Sequence, residues 1–413
     1  MNTDETRRPL TGHFFYATLS AASTGLLLIL SIVAARVLGT EEWGRFSFAL
    51  ALATIFETLM DFGLHQVAIR SIARDPEGAP SLFHNILSLK LLLAVGMMAA
   101  LLLTVIVLET DRTVRLVTAL LGVSMILRSY VLAVRSLLQG RELFAADSIV
   151  IVIDRALLLL GAVAALTLGY GIRGLAVAFV ASRVLSFGFA AQLARRHLGS
   201  FRLRFDHQVW VDIQVQALPV GSFFAVWNVY TYVDTVLLSM LRGSAETGIY
   251  SAAYKIYEGL AYAPAVLASV LTPRLASYYA TDRANHRRLA RQGMGATLAL
   301  AVVVGVPLFV LARPVALGLF GETYAEAANV LRILSFGLPG MFSIWMLVVL
   351  AMSANRERLL LGTGLIGCAA NIGLNLWLIP SYGVRGAATA TVVGDLVCVA
   401  VLWVGLRRPV HVK

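Results

Sequence analysis

Apolar residues run through this chain in blocks of about twenty or more, with short polar breaks between them, from Phe14 to Leu406. A helix needs about 20 mostly apolar residues to cross a bilayer. The blocks predict spans at 14–35, 45–66, 85–108, 114–137, 145–168, 172–193, 214–240, 248–271, 293–312, 327–351, 359–379 and 384–406. In lipid, backbone polar groups must pair internally, which leaves helices or closed barrels. Continuous blocks fit helices, whereas a barrel strand shows about ten alternating residues. The expectation is an all-α membrane protein of about 12 transmembrane helices with no sizeable soluble domain.

Charge in the breaks orients the spans. Alternate breaks carry Arg7, Arg8, Arg70, Arg74, Arg141, Arg195, Arg196, Arg202, Arg204, Arg274, Arg283, Arg287, Arg288, Arg291, Arg356, Arg358, Arg407, Arg408 and Lys413. The others carry only Arg36, Arg45, Arg112, Arg115, Arg173, Arg242, Arg313 and Arg385. The richer set belongs on the cytoplasmic side, so both termini are expected there. The basic segments 194–213 and 272–292 would lie against anionic headgroups.

Composition agrees with lipid as the main solvent. Of 413 residues, 59% are hydrophobic and 14% charged, against about 25% charged in soluble domains. Mean hydropathy is +0.80. The net charge of +11 sits in short breaks, which points to membrane orientation and not to nucleic acid. Cys368 and Cys398 lie in apolar spans without metal-ligand or CxxC spacing. The first apolar block is too long for a cleavable signal peptide.

The chain also repeats. Residues 170–179 (YGIRGLAVAF) match 382–391 (YGVRGAATAT), an offset of 212. Gly140-Arg-Glu142 matches Asn355-Arg-Glu357 at 215, and Gly44-Arg-Phe-Ser47 matches Gly248-Ile-Tyr-Ser251 at 204. Three landmarks in order predict two parallel six-helix bundles, 1–200 and 201–413. In carriers built from repeats, the site lies between the halves and opens to each side in turn.

Ionisable residues inside spans cost at least about 2.5–3.5 kcal/mol each, so they pair or face a cavity. The acids are Glu57, Asp61, Asp147, Asp154, Asp234, Glu258 and Asp395; the bases are Lys90, Arg128, Arg135, Arg155, Arg183, Lys255 and Arg332. Glu57, Asp61 and His65 share one helical face, as do Arg128 with Arg135 and Asp147 with Asp154. Structural pairing, such as Asp154 with a neighbouring arginine, is one reading; snorkelling of Lys90, Arg135 and Arg155 is another. The basic set of the first half also suits an anion, because arginine donates two parallel hydrogen bonds to phosphate. On that reading the anion-binding candidates are Arg36, Lys90, Arg128, Arg183 and Lys255.

Spans seven and eight carry Trp227, Asn228, Tyr230, Tyr232 and Asp234, then Tyr250, Tyr254, Tyr257, Glu258 and Tyr262. Tyrosine rings suit sugars, while an interfacial belt is the plainer reading for Tyr230, Tyr232 and Tyr250. Pro219, Pro264, Pro307 and Pro339 fall inside spans and bend helices. The sequence has no GxxxxGK[ST], HExxH or GxSxG, so it carries no signature of ATP hydrolysis or soluble-enzyme chemistry.

Three blocks resemble a known family. Residues 35–46 (ARVLGTEEWGRF) with Asp61-Phe-Gly-Leu64 look like the opening of O-antigen flippase-type polysaccharide exporters, within the multidrug, oligosaccharidyl-lipid and polysaccharide exporter superfamily. Residues 234–238 (DTVLL) and 247–255 (TGIYSAAYK) resemble the start of their second half. Residues 371–375 (NIGLN) and 382–388 (YGVRGAA) resemble their C-terminal segment. The resemblance implies a V-shaped, alternating-access carrier in the bacterial inner membrane. It implies undecaprenyl-diphosphate-linked oligosaccharide as cargo, and polysaccharide polymerase and export machinery as partners. No enzyme activity or cofactor is expected. A coupling ion, H+ or Na+, would use Glu57, Asp61, Asp234 or Glu258, with Tyr254 and Tyr257 toward sugar. The alternatives are a cation-coupled multidrug exporter of the same fold, which would want an acidic lumen, and a membrane-embedded enzyme, which would want a large outward loop.

Overall fold

The computed structural model describes residues 10–198, 202–354 and 356–407, and among them every regular element is helical. The elements are α1 (Leu10–Asp61), α2 (Leu64–Arg74), α3 (Ala79–Leu108), α4 (Arg112–Gly140), α5 (Phe144–Thr167), α6 (Gly171–Leu198), α7 (His207–Arg242) and α8 (Ser244–Leu260). They continue as α9 (Tyr262–Thr281), α10 (Arg283–Val310), α11 (Ala312–Phe320), α12 (Ala327–Ser353) and α13 (Glu357–Arg407). Among the described residues, nine helical stretches are long and apolar enough to cross a membrane. Their outer faces fit that solvent: Leu103, Val107, Val303 and Trp377 are each more than two-thirds exposed. Arg7, Arg8, Arg408 and Lys413, used above for orientation, lie outside the described residues.

The expected breaks differ in form. Where a loop was expected at 36–44, α1 runs on for 52 residues and departs from helical geometry at Gly39 (φ 75°, ψ 176°). Its charged residues stay helical because Arg45 bridges Glu41 at 2.8 Å and Glu42 at 3.0 Å. Gly383 (φ 53°, ψ −130°) likewise breaks the 51-residue α13. Only glycine turns the chain so sharply without a loop. The span expected at 248–271 divides after Leu260, just before Pro264, which lacks an amide proton. At the start of α10, Asp282 accepts from the N–H of Asn285 and Ala284. The Asn285 amide leads in holding this exposed carboxyl below its usual range.

The chain forms two compact units, residues 1–34 with 56–221 and residues 35–55 with 222–413. The division expected at 200/201 therefore differs in two places. Ile213 and Ala217, on α7, pack into the unit 1 core with Leu64, Ile72, Phe83, Leu137 and Ala190. Residues 35–55 belong with unit 2, where Trp43 and Phe46 are buried. Within unit 1, α6 packs on α4 and α5, and α4 on α2 and α3. Within unit 2, α12 packs on α8, α9, α10 and α13.

The 204-residue repeat reappears as a reciprocal contact within unit 2. Gly39 and Gly243 share one unusual conformation, φ 75°, ψ 176° and φ 88°, ψ 179°. A Cβ on Gly44 would meet the carbonyl of Ser244 and the amide of Gly248. A Cβ on Gly248 would meet the carbonyl of Thr40 and the amide of Gly44. Each glycine thus faces the repeat-equivalent of the other's partner, and the two backbones touch where no side chain fits.

Candidate functional site

In unit 1 the intramembrane charges form a ladder of pairs. Glu57, on the last turns of α1, accepts from Arg128 of α4 at 2.8 and 2.5 Å. One turn on, Asp61 accepts from Lys90 of α3 at 2.6 Å, and Lys90 also donates to Ser129 at 2.6 Å. The helix then breaks at Phe62 (φ 28°) and Gly63 (φ 78°), whose backbone lies against Ala217 and Gly221 of α7. Beyond the break, His65 and the Ser136 hydroxyl are 2.6 Å apart. Arg135 holds Asp147 at 2.7 and 3.3 Å, with Gln139 adding a bond at 2.8 Å. Arg183 of α6 is bonded to Asp154 of α5, both buried.

The pairing explains how these charges tolerate burial. Each carboxylate meets a cation and at least one directed hydrogen bond, which offsets part of its desolvation. Five bases (Lys90, Arg128, Arg135, Arg155 and Arg183) meet four acids, so one positive charge is left over. The remainder is Arg155 on α5, which makes no hydrogen bond or ion pair with a described residue. It was read as a snorkelling residue and did not rank among the candidates. Counting bases against acids in the first six spans would have flagged the surplus, though not its owner.

Unit 2 works differently. Asp234 of α7 accepts from the Tyr250 hydroxyl, from Thr391 at 3.3 Å and from the Thr235 amide at 2.7 Å. Asp395 of α13 accepts from Tyr230 at 2.6 Å and Tyr257 at 2.7 Å. Neither carboxylate meets a cation among the described residues. Tyr254 stacks on Tyr250 with centroids 5.5 Å apart and lies 6.0 Å from Tyr257. Lys255 pairs with Glu258 at 2.7 Å and stands 5.6 Å from the Tyr232 ring centroid. Asn375 donates to Asn371 at 2.9 Å.

The expected site residues therefore divide between the units. Lys90, Arg128, Arg183, Glu57 and Asp61 sit in unit 1; Arg36, Lys255, Asp234, Tyr254, Tyr257 and Glu258 sit in unit 2. Arg36 is exposed and donates to the Gly318 carbonyl at 3.0 Å, close to where Tyr324 holds the Ala35 carbonyl at 2.8 Å. That contact ties the outer end of the first span to the 312–324 segment. The belt reading fails for Tyr230 and Tyr250, because both are buried and spend their hydroxyls on carboxylates. The roles of Asp395 and Thr391 were missed, since their partners lie more than a hundred residues away.

Comparison with known proteins fits this arrangement. The family model described as polysaccharide biosynthesis protein matches residues 10–279, and the MatE model matches 219–377. The protein named probable flippase AglR, from Haloferax volcanii, is 29% identical over 166 residues, which are 39% of this chain and 35% of that one. The alignment thus spans about a third of that relative. Among solved structures, an inward closed lipid II flippase MurJ superposes with a TM-score of 0.80 at 15% identity, covering 96% of this chain and 88% of that one. An inward-facing multidrug resistance MATE transporter gives 0.66 at 17% identity, over 95% and 94% of the two chains. A transporter from Pyrococcus furiosus, titled for the reverse polarity of its binding pocket, gives 0.67 at 17%, over 95% and 93%. These likenesses establish the fold, and the match over residues 10–279 establishes the kinship: this chain belongs to the polysaccharide biosynthesis protein family.

Proposed function

We propose that the chain is a flippase that carries lipid-linked oligosaccharide, on an undecaprenyl-diphosphate-type carrier, across the bacterial inner membrane by alternating access. In this reading it has twelve spans in two parallel six-helix repeats, 1–200 and 201–413, with both termini cytoplasmic. The glycine breaks at Gly39 and Gly383 support the count, since each divides a helix of more than 50 residues into two lengths that cross a bilayer.

The observation that carries the reading is the charge balance of unit 1: four intramembrane carboxylates each bound to a base, and one arginine more. A drug carrier for cations gains nothing from a surplus positive charge, whereas a diphosphate crossing a low-dielectric interior requires one. Lys90, Arg128, Arg183 and Lys255 set the field, and Tyr254 and Tyr257 offer ring faces to sugar. Asp234 and Glu258 are the coupling carboxylates for H+ or Na+, with Glu57 and Asp61 held by their bases.

The test is to delete the gene and locate lipid-linked oligosaccharide across the inner membrane. Accumulation on the cytoplasmic face, reversed by the wild-type chain, is the expected result. A second reading, a cation-coupled small-molecule exporter, is favoured by the MatE match over 219–377 and by the two carboxylates of unit 2 that meet no cation. It predicts no accumulation and altered sensitivity to small cationic drugs instead.

A further inference from the structure

Arg155 stands eleven residues from the start of α5 and twelve from its end. At 1.5 Å per residue it is about 17 Å from either end, at the middle of a hydrocarbon layer about 30 Å thick. Snorkelling rescues an arginine near a helix end by laying its stem toward the headgroups. At this depth neither surface is within reach. Arg332 shows the contrast: it lies five residues inside the start of α12 and makes a 3.4 Å bond to Asn329.

Nor is Arg155 compensated by protein. Its sequence neighbour Asp154 is committed to Arg183. The other charges acting on it are Arg183 of α6 and Arg128 and Arg135 of α4, all positive. Their own carboxylates, Asp154, Glu57 and Asp147, are already bound. In the same cluster the buried Nε–H of Arg183 has no acceptor among the described residues. One guanidinium without a partner and one unused N–H donor lie together at mid-membrane depth. The cluster lacks one negative charge and one strong acceptor.

We propose that Arg155 is the residue that takes up the phosphate or diphosphate group of the carried lipid at mid-membrane, with the Nε–H of Arg183 as its second donor. The inference rests on the flippase reading and names the receiving residue. Chemistry selects the ligand class: only an oxyanion offers several acceptors to a planar fork and a neighbouring N–H while cancelling the surplus charge. Until it arrives, Arg155 is an uncompensated charge in lipid, tolerated for what it binds and not for stability.

That last point gives the test a readout a structural arginine would move the other way. The full chain is purified in detergent and titrated with geranylgeranyl diphosphate, geranylgeraniol or inorganic pyrophosphate, with binding read by native mass spectrometry and stability by thermal unfolding. Wild type is expected to prefer the diphosphate lipid over the alcohol. Arg155→Gln should weaken diphosphate binding by about tenfold or more, as loss of charge-assisted bonds implies, and leave the melting temperature unchanged or higher. Arg155→Lys should keep the stability and lose part of the affinity. Unchanged affinity in Arg155→Gln, or a fall in its melting temperature, overturns the proposal while leaving the flippase reading intact. Wild type that binds alcohol and diphosphate equally sinks the flippase reading itself. Binding of free pyrophosphate as tightly as the lipid would show an anion site unrelated to a carried lipid, and overturns the assignment.

Discussion

At the scale of residues, pairing changes what a substitution means. Removing Arg183 leaves the buried Asp154 carboxylate alone, and orphaning one partner of a buried ion pair costs about 3–5 kcal/mol. Arg183→Leu and Asp154→Leu should each lower thermal stability sharply, while the double variant should return toward wild type. A simple sum of the two losses in a double-mutant cycle would mean the pair is not coupled. Export assays on Arg128→Ala or Arg183→Ala alone would confound folding with transport, so Glu57 and Asp154 must be neutralised alongside. Asp234, whose carboxylate is held by hydroxyls and an amide, is where coupling is best tested. Asp234→Asn should abolish gradient dependence with folded protein retained, and an unchanged dependence would reduce it to a structural acceptor. Every one of these charges was legible, because an acid or base in an apolar run stands out. Their pairings were not, since Glu57 finds Arg128 at 71 residues and Asp395 finds Tyr230 at 165.

At the scale of elements, apolar length was the readable signal and boundaries were not. The segment 36–44 carries four charged or polar side chains and was read as a loop. Its glutamates and Arg45 instead lie at helical spacing, so the helix carries them while Gly39 alone makes the bend. Proline placed a break at 260–262 that hydropathy passed over. The repeat was legible as matched words, but not that its two copies touch. That contact is testable: Gly44→Ala or Gly248→Ala drives a Cβ into backbone atoms that cannot rotate away. Each should cost about 1–3 kcal/mol, read as a lower melting temperature. Alanine tolerated at both positions would mean the backbones do not approach this closely. Gly96 and Gly373, which meet nothing within 4 Å, should accept alanine without that penalty.

At the scale of the whole molecule, charge asymmetry and motif order carried the reading further than any residue did. The arginines of 272–292 sit at the ends of α9 and α10, where orientation signals act. Reporter enzymes fused after residue 413 and before residue 1 should both report from the cytoplasm; opposite sides would require an odd number of crossings. The family was legible from three motif blocks in order. The division into compact units was not, because a chain read linearly cannot show that residues 35–55 pack with a segment two hundred residues later.

The reciprocal glycine contact also says something about ancestry. When residue i touches j and the equivalent of j touches the equivalent of i, the interface is isologous, as in a two-fold homodimer. Thr40, Gly44, Ser244 and Gly248 meet that condition inside one chain. A half-length ancestor would have met its own copy through this same seam, with a single glycine serving both sides. Gene fusion then freed the two copies to diverge everywhere except where each is the other's partner. Gly44 and Gly248 should consequently resist change as a pair across relatives, while Arg45 and Ile249 beside them are free to differ.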